Sequence, residues 1–199
     1  LKNEIVFPAA ILQPPFFDVK ADPALNYGGI GAVIGHEIMH GFDDQGSQFD
    51  AKGNLRMWWT DEDRAKFNER TAKLVKQFDG FVAIDDLHVN GKLTLGENIG
   101  DLGGLLIAYD AWRAATENQR LMPIDGLTPD QRFFHGWAQG WRRMHTEQDL
   151  KLRLNTDVHA PAKFRVLGPY ANIDAFATAF DCKAGDKMVA RPDEKVVIW

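Results

Sequence analysis

Two apolar stretches studded with glycine constrain this chain more than any other feature. From Leu25 to about Phe42, Ile30, Val33, Ile34, Ile38 and Met39 recur at a helical period, while Gly28, Gly29, Gly31 and Gly35 let a neighbouring backbone approach closely. From Thr94 to about Thr116 a second helix is predicted, with Gly96, Gly100, Gly103 and Gly104 in the same role. Both helices read as buried, yet the first contains His36, Glu37 and His40 and the second contains Glu97 and Asp101. Ionisable groups in apolar helices are costly unless they are partnered.

The remaining elements follow from local signals. Leu1 to Phe17 alternates loosely around Pro8, Pro14 and Pro15 and reads as an edge strand followed by an extended segment. Residues 43 to 59 are turn-rich and read as a loop, and Thr60-Asp61-Glu62-Asp63 caps a helix running to about Phe78. Phe81 to Leu93 predicts a short strand or link with a turn at Asn90-Gly91. Thr128-Pro129-Asp130-Gln131 opens an aromatic-rich helix to about Gln148. After Pro161 a loop, a short helix over 173–180 and an extended end at Val196 to Trp199 are expected. The fold class is therefore α+β, mainly helical.

The string His36-Glu37-Ile38-Met39-His40 carries the chemistry. Histidines four apart leave one helix face together, about 5–6 Å apart, as two zinc ligands require. Glu37 projects beside them, placed to take a proton from an activated water. A catalytic zinc needs a third protein ligand. In the metzincin pattern a glycine and a histidine would stand at positions 43 and 46, which hold Asp43 and Gly46, so that class is excluded. Glu97 is the best alternative, and Asp101, one turn on, is placed to hold the free ring N–H of a ligand histidine; the competing reading is a solvated acidic stripe. Asp157-Val158-His159 is weak by itself: facing the zinc, His159 supported by Asp157 could donate to an oxyanion, but an isolated loop histidine has no such duty. Arg165 could fork onto a substrate carbonyl or carboxylate, or be a surface ion pair.

Composition bounds the partners. With 23 Lys+Arg against 28 Asp+Glu the net charge is -5, so no basic field exists for nucleic acid. No apolar stretch reaches the roughly 20 residues of a membrane span, the stretch Tyr27 to Ile38 being interrupted by His36 and Glu37. The single cysteine, Cys182, makes no internal disulfide.

Several blocks together resemble the neprilysin family of zinc metallopeptidases, which includes endothelin-converting enzymes and bacterial oligopeptidases. They are Asn3 to Ala9 with Gln13 to Phe17, Leu25 to Gly31, the His36–His40 helix running into Gly41-Phe42-Asp43-Asp44, Gly96-Glu97-Asn98-Ile99 with Asp101 to Gly104, Asp157-Val158-His159, and Phe164-Arg165. The resemblance implies a thermolysin-like zinc metallopeptidase catalytic domain over 1–199, the C-terminal portion of a longer protein whose helical N-terminal portion is absent here. It implies one Zn2+ held by His36, His40 and Glu97, with Glu37 as general base and Asp101 orienting a ligand histidine. His159 with Asp157 would stabilise the oxyanion and Arg165 would hold a backbone carbonyl. Ile11, Phe16, Val33 and Trp141 would line an apolar pocket for the residue after the scissile bond.

The expected activity is endopeptidase cleavage of short peptides on the amino side of bulky apolar residues, outside the cytoplasm. The family's Asn-Ala backbone clamp would fall just before Leu1, and the missing N-terminal portion is an expected partner. A zinc-stabilised module that binds peptides without cutting them, and a zinc hydrolase of non-peptide substrates, are the rival readings.

Overall fold

The computed structural model describes residues 3–199. A helical rod runs from Pro23 to Met39 in three parts: α1 (Pro23–Asn26), capped by the Asp22 side chain, a π-helical turn (Tyr27–Gly31), and α2 (Ala32–Met39). Helical dihedrals continue through both junctions, so the wide turn is an insertion within one helix and not a break. Then come α3 (Asp61–Asp79), β1 (Val82–Ile84), β2 (Leu87–His88), α4 (Leu95–Thr116), α5 (Pro129–Gly140), α6 (Glu147–Thr156), α7 (Ala162–Tyr170) and α8 (Asp174–Ala179).

The two glycine-rich helices pack on each other as their composition demands. A Cβ built on Gly35 would stand 2.6 Å from the Gly104 carbonyl oxygen, and one on Gly104 would stand 2.4 Å from the His36 backbone nitrogen. The backbones of α2 and α4 therefore touch, and this contact carries His36 against the face of α4 that holds Glu97 and Asp101. Gly104→Ala is expected to force the helices apart, lowering stability by about 1–3 kcal/mol as overpacking does and weakening metal binding with it. Thermal midpoints with and without added zinc check both effects.

Beyond this contact lies an aromatic core in which Tyr109 and Trp112 of α4 meet Phe133 and Phe134 of α5, with Tyr170 and Phe176 packed behind Phe134. The C-terminal segment forms neither helix nor strand and buries Val196 and Ile198. Its backbone is tied down by Asn172 Oδ1, which accepts from the Val196 N–H, and by Arg70, which donates to the Ile198 carbonyl.

The predicted helix starts at Thr60 and Thr128 are present, the second with a reciprocal capping box to Gln131. Three expectations need correction. No strand forms over the described residues 3–17, where the prolines withhold N–H donors and Ala9–Ile11 winds into a 3-10 turn; Leu1 and Lys2 of that segment lie outside the described residues. The helix from Thr128 stops at Gly140 and a separate α6 starts under a new cap, Thr146, whose hydroxyl accepts from the Asp149 N–H. The stretch read as loop after Pro161 contains α7, entered through Pro161 at its N-cap. The turn expected at Asn90-Gly91 is present, the Asn90 carbonyl accepting from the Thr94 N–H at 3.1 Å, and Gly91 lies where a Cβ would meet the Val75 carbonyl oxygen at 2.3 Å; a further turn at Asp85, with φ 52°, joins β1 to β2.

Candidate metal centre

α2 and α4 bring His36, His40 and Glu97 to one point. His36 Nε2 is 3.2 Å from Glu97 Oε2 and His40 Nε2 is 3.5 Å from Glu97 Oε1. Ligands about 2.0–2.1 Å from a tetrahedral ion stand roughly 3.3–3.4 Å apart along its edges. The spacing of each imidazole nitrogen from the carboxylate thus matches an edge of a tetrahedral zinc site, and the donor set of two histidines and one carboxylate is one that zinc takes. The residues present fit the metal.

Each histidine is held from behind by its other ring nitrogen. His40 Nδ1 lies 2.8 Å from Asp43 Oδ2, and Asp43 is itself fixed by the N–H groups of Gln45 and Gly46 on Oδ1. His36 Nδ1 lies 2.9 Å from Asp101 Oδ1, an ion-pair contact off the ring N–H axis and not a linear hydrogen bond. Gly100 makes room for that ring, since a Cβ there would stand 2.7 Å from His36 Nδ1. Asp101 is completely buried and receives a fork from Arg165, Nε to Oδ2 at 2.7 Å and Nη2 to Oδ1 at 2.6 Å. Arg165 Nη2 also reaches Glu97 Oε2 at 3.3 Å, and its guanidinium lies over the Trp141 ring.

The electrostatics follow from this packing. Burial pulls the His36 pKa down, but Asp101 and Glu97 outweigh it and hold the ring up at about 9. Burial alone would raise Glu97; the His36 contact and the charges of His36, Arg165 and His159 keep it below its ordinary value. Asp101 is likewise held low against its own burial, chiefly by Arg165. His40 is raised by its bond to Asp43.

The other predicted residues take these places. Glu37 is exposed, beside the histidines, with its carboxylate within 4.8 Å of a ring nitrogen of each. It lines an open cleft of about 580 Å³ together with His40, Phe42 and Trp58. His159 Nε2 reaches Glu97 Oε2 at 3.2 Å while Asp157 Oδ1 holds Nδ1 at 2.7 Å and the His159 N–H at 2.9 Å. Of the four residues expected in the apolar pocket, Trp141 lines a second cleft, on the Arg165 side. Phe16 lies along Gly140, Val33 packs against the buried core, and Ile11 is half-buried in the 3-10 turn.

The model of peptidase family M13 matches residues 1–196. The chain belongs to peptidase family M13. All of the chain aligns with family relatives: it is 46% identical over 201 residues to an endothelin-converting enzyme homolog of Locusta migratoria and 48% identical over 204 residues to neprilysin-1 of Caenorhabditis elegans. It covers 27% of each of those proteins, so it spans about a quarter of the length of the curated relatives it matches. Among solved M13 structures, the zinc metalloprotease Zmp1 of Mycobacterium tuberculosis superposes with a TM-score of 0.96 at 51% identity, over 100% of this chain and 31% of that one. PepO of Lactobacillus rhamnosis superposes at 0.85 with 38% identity, over 97% and 29%.

Asp43 lies in a block that carries the resemblance in sequence, yet no contact with His40 was expected of it. The signal was available: a carboxylate three residues after His40 shares its side of the helix end. Read only as part of a turn, it lost its connection to the ligand.

Proposed function

We propose that residues 1–199 are the zinc-bearing, C-terminal part of the catalytic domain of an endopeptidase that cleaves short peptides on the amino side of bulky apolar residues. The observation that carries the reading is the convergence of His36, His40 and Glu97 with Glu37 on the open side, in a chain of family M13.

Zinc, one per chain, supplies Lewis acidity toward the scissile carbonyl and a water. Glu37 accepts the proton of the attacking water and returns it to the leaving amine. His159, its Nδ1 on Asp157 and its Nε2 turned to the centre, donates to the oxyanion. Arg165, fixed by Asp101 and Trp141, holds a backbone carbonyl of the peptide. Asp101 and Asp43 set the orientation of the two ligand rings. Trp141, with Ile11, Phe16 and Val33, receives the residue after the scissile bond.

The rest of the protein encloses the site on this reading, and the enzyme works outside the cytoplasm. Among the described residues no helix is long and apolar enough to cross a membrane.

The test is zinc content per chain and hydrolysis of a quenched fluorescent peptide by the whole protein, with and without chelator. One zinc and chelator-sensitive cleavage are expected; zinc-free protein that cleaves peptides equally well overturns the reading, and zinc without cleavage leaves a binding module. The pH dependence has a definite sign. Below about pH 9 the metal-free chain carries a proton on His36 that zinc must displace, so apparent affinity is expected to fall as the pH falls. The stability that protonated His36 gives the metal-free fold runs the opposite way. It is complete below the ordinary 6.5 and lost as the pH rises through about 9. Zinc titrations and chelated thermal midpoints near both ends of that interval check the two signs.

A further inference from the structure

His159 stands on the link between α6 and α7 with its ring half exposed, so packing alone does not hold it. What holds it is Asp157, whose Oδ1 takes both the His159 N–H at 2.9 Å and the ring Nδ1 at 2.7 Å. Two bonds on one oxygen leave a carboxylate free to pivot about that atom. The other oxygen, Oδ2, is fixed by Arg153, whose Nη1 lies 2.8 Å away and is the only hydrogen-bond donor to it among the described residues.

Arg153 grips Asp157 a second time through the backbone. Asp157 closes the C-terminal end of α6, and its N–H donates to the Arg153 carbonyl at 2.9 Å. A carboxylate at that end meets the negative pole of the helix dipole, and an arginine one turn back offsets it. Arg153 is in turn held by Asp149, Nε to Oδ2 at 3.0 Å, one turn earlier on the same face. No residue of α6 is fully buried, and apart from this ladder the helix is tied to the β1–β2 turn by Lys151, whose Nζ lies 2.8 Å from Asp85 Oδ2. The end of α6 that carries Asp157 is therefore located by charge pairs more than by packing.

We propose that Arg153 is a positioning residue for the oxyanion step: by locking the Asp157 carboxylate it keeps His159 Nε2 turned to the metal position, 3.2 Å from Glu97 Oε2. The proposal rests on the peptidase reading, in which His159 donates to the oxyanion. An exposed ion pair contributes little to stability, so the effect of this one is to be found in the rate and not in the fold.

The test is a double-mutant cycle on the zinc-loaded whole protein, with Arg153→Ala, His159→Gln and the two combined. Hydrolysis of a quenched fluorescent peptide gives kcat and KM, and inhibition by a phosphinic peptide of the same sequence reports affinity for a tetrahedral centre. Arg153→Ala is expected to lower kcat about fivefold, the scale of one exposed charge pair, with KM, zinc content and thermal midpoint unchanged. Its affinity for the phosphinic peptide should fall by the same factor. Arg153→Lys should recover part of the loss, since a lysine also reaches a carboxylate four residues on. In the His159→Gln background Arg153→Ala should have no further effect, because the two residues act as one unit.

A merely structural role would lower the thermal midpoint and would act equally in both backgrounds. An Arg153→Ala enzyme with unaltered kcat, a loss that persists undiminished beside His159→Gln, or a raised KM at constant kcat overturns the positioning role and leaves the peptidase reading standing. Unaltered kcat in His159→Gln removes His159 from the mechanism and Arg153 with it. Failure of the unsubstituted protein to cleave the peptide removes the peptidase reading itself.

Discussion

Replacing Glu37 by Gln is expected to lower kcat of the whole enzyme by about 10²–10⁴-fold, the range of a lost general base, while zinc stays at one per chain. Two features of the site give this separation. Glu37 is exposed and enters none of the ion pairs that hold His36, His40 and Glu97, so an isosteric amide leaves the ligand arrangement as it is. Its carboxylate is nevertheless within 4.8 Å of a ring nitrogen of both histidines, within reach of a water between them. Gln keeps the size and the hydrogen-bonding reach but cannot take up a proton. Glu37→Asp tests the geometry separately: the charge is kept but drawn back by one methylene, and a displacement of about 1 Å can itself cost about 10²-fold. Zinc content, KM and kcat of both variants decide the matter. Near-normal turnover by Glu37→Gln would remove Glu37 from the mechanism, and loss of zinc in that variant would make it a structural residue.

What could be read from the sequence at this site was what lies within one helix. His36 and His40 share a face because they are four apart, and Glu97 and Asp101 do so for the same reason, which is a statement about helix geometry and needs no partner. The glycines of both helices foretold a close crossing, and Gly35 against Gly104 is that crossing. The Thr60 and Thr128 caps are equally local. Contacts across long stretches of chain left no such trace. Arg165 lies 64 residues from Asp101, and nothing near either residue distinguishes a buried fork from a surface ion pair. The break after Gly140 was missed because the aromatic pattern continues across it, while the Phe16 ring that lies against Gly140 comes from the other end of the chain. The π-helical turn at Tyr27–Gly31 keeps an apolar, helix-like composition, so periodicity alone could not separate it from α-helix.

Asp101→Ala is expected to have the largest effect on the fold and to weaken the metal at the same time. The carboxylate is wholly buried between α2 and α7, and it is the main counter-charge of a guanidinium that is itself buried. Removing one member of a buried pair typically costs about 3–5 kcal/mol because the remaining charge is left uncompensated. Asp101 also faces His36 Nδ1, and loss of a carboxylate behind a ligand histidine typically lowers metal affinity about 10–100-fold. The two consequences can be pulled apart. In Asp101→Ala with Arg165→Met no buried charge is stranded, so the thermal midpoint is expected to recover toward that of the unaltered protein. Zinc affinity is not expected to recover, because nothing has been returned to His36. Asp101→Asn should fall between the two, keeping the shape and one acceptor for Arg165 but not the charge. If the double variant regains zinc affinity along with stability, Asp101 serves the fold alone. If affinity stays low in a well-folded double variant, the orientation of His36 depends on the carboxylate directly.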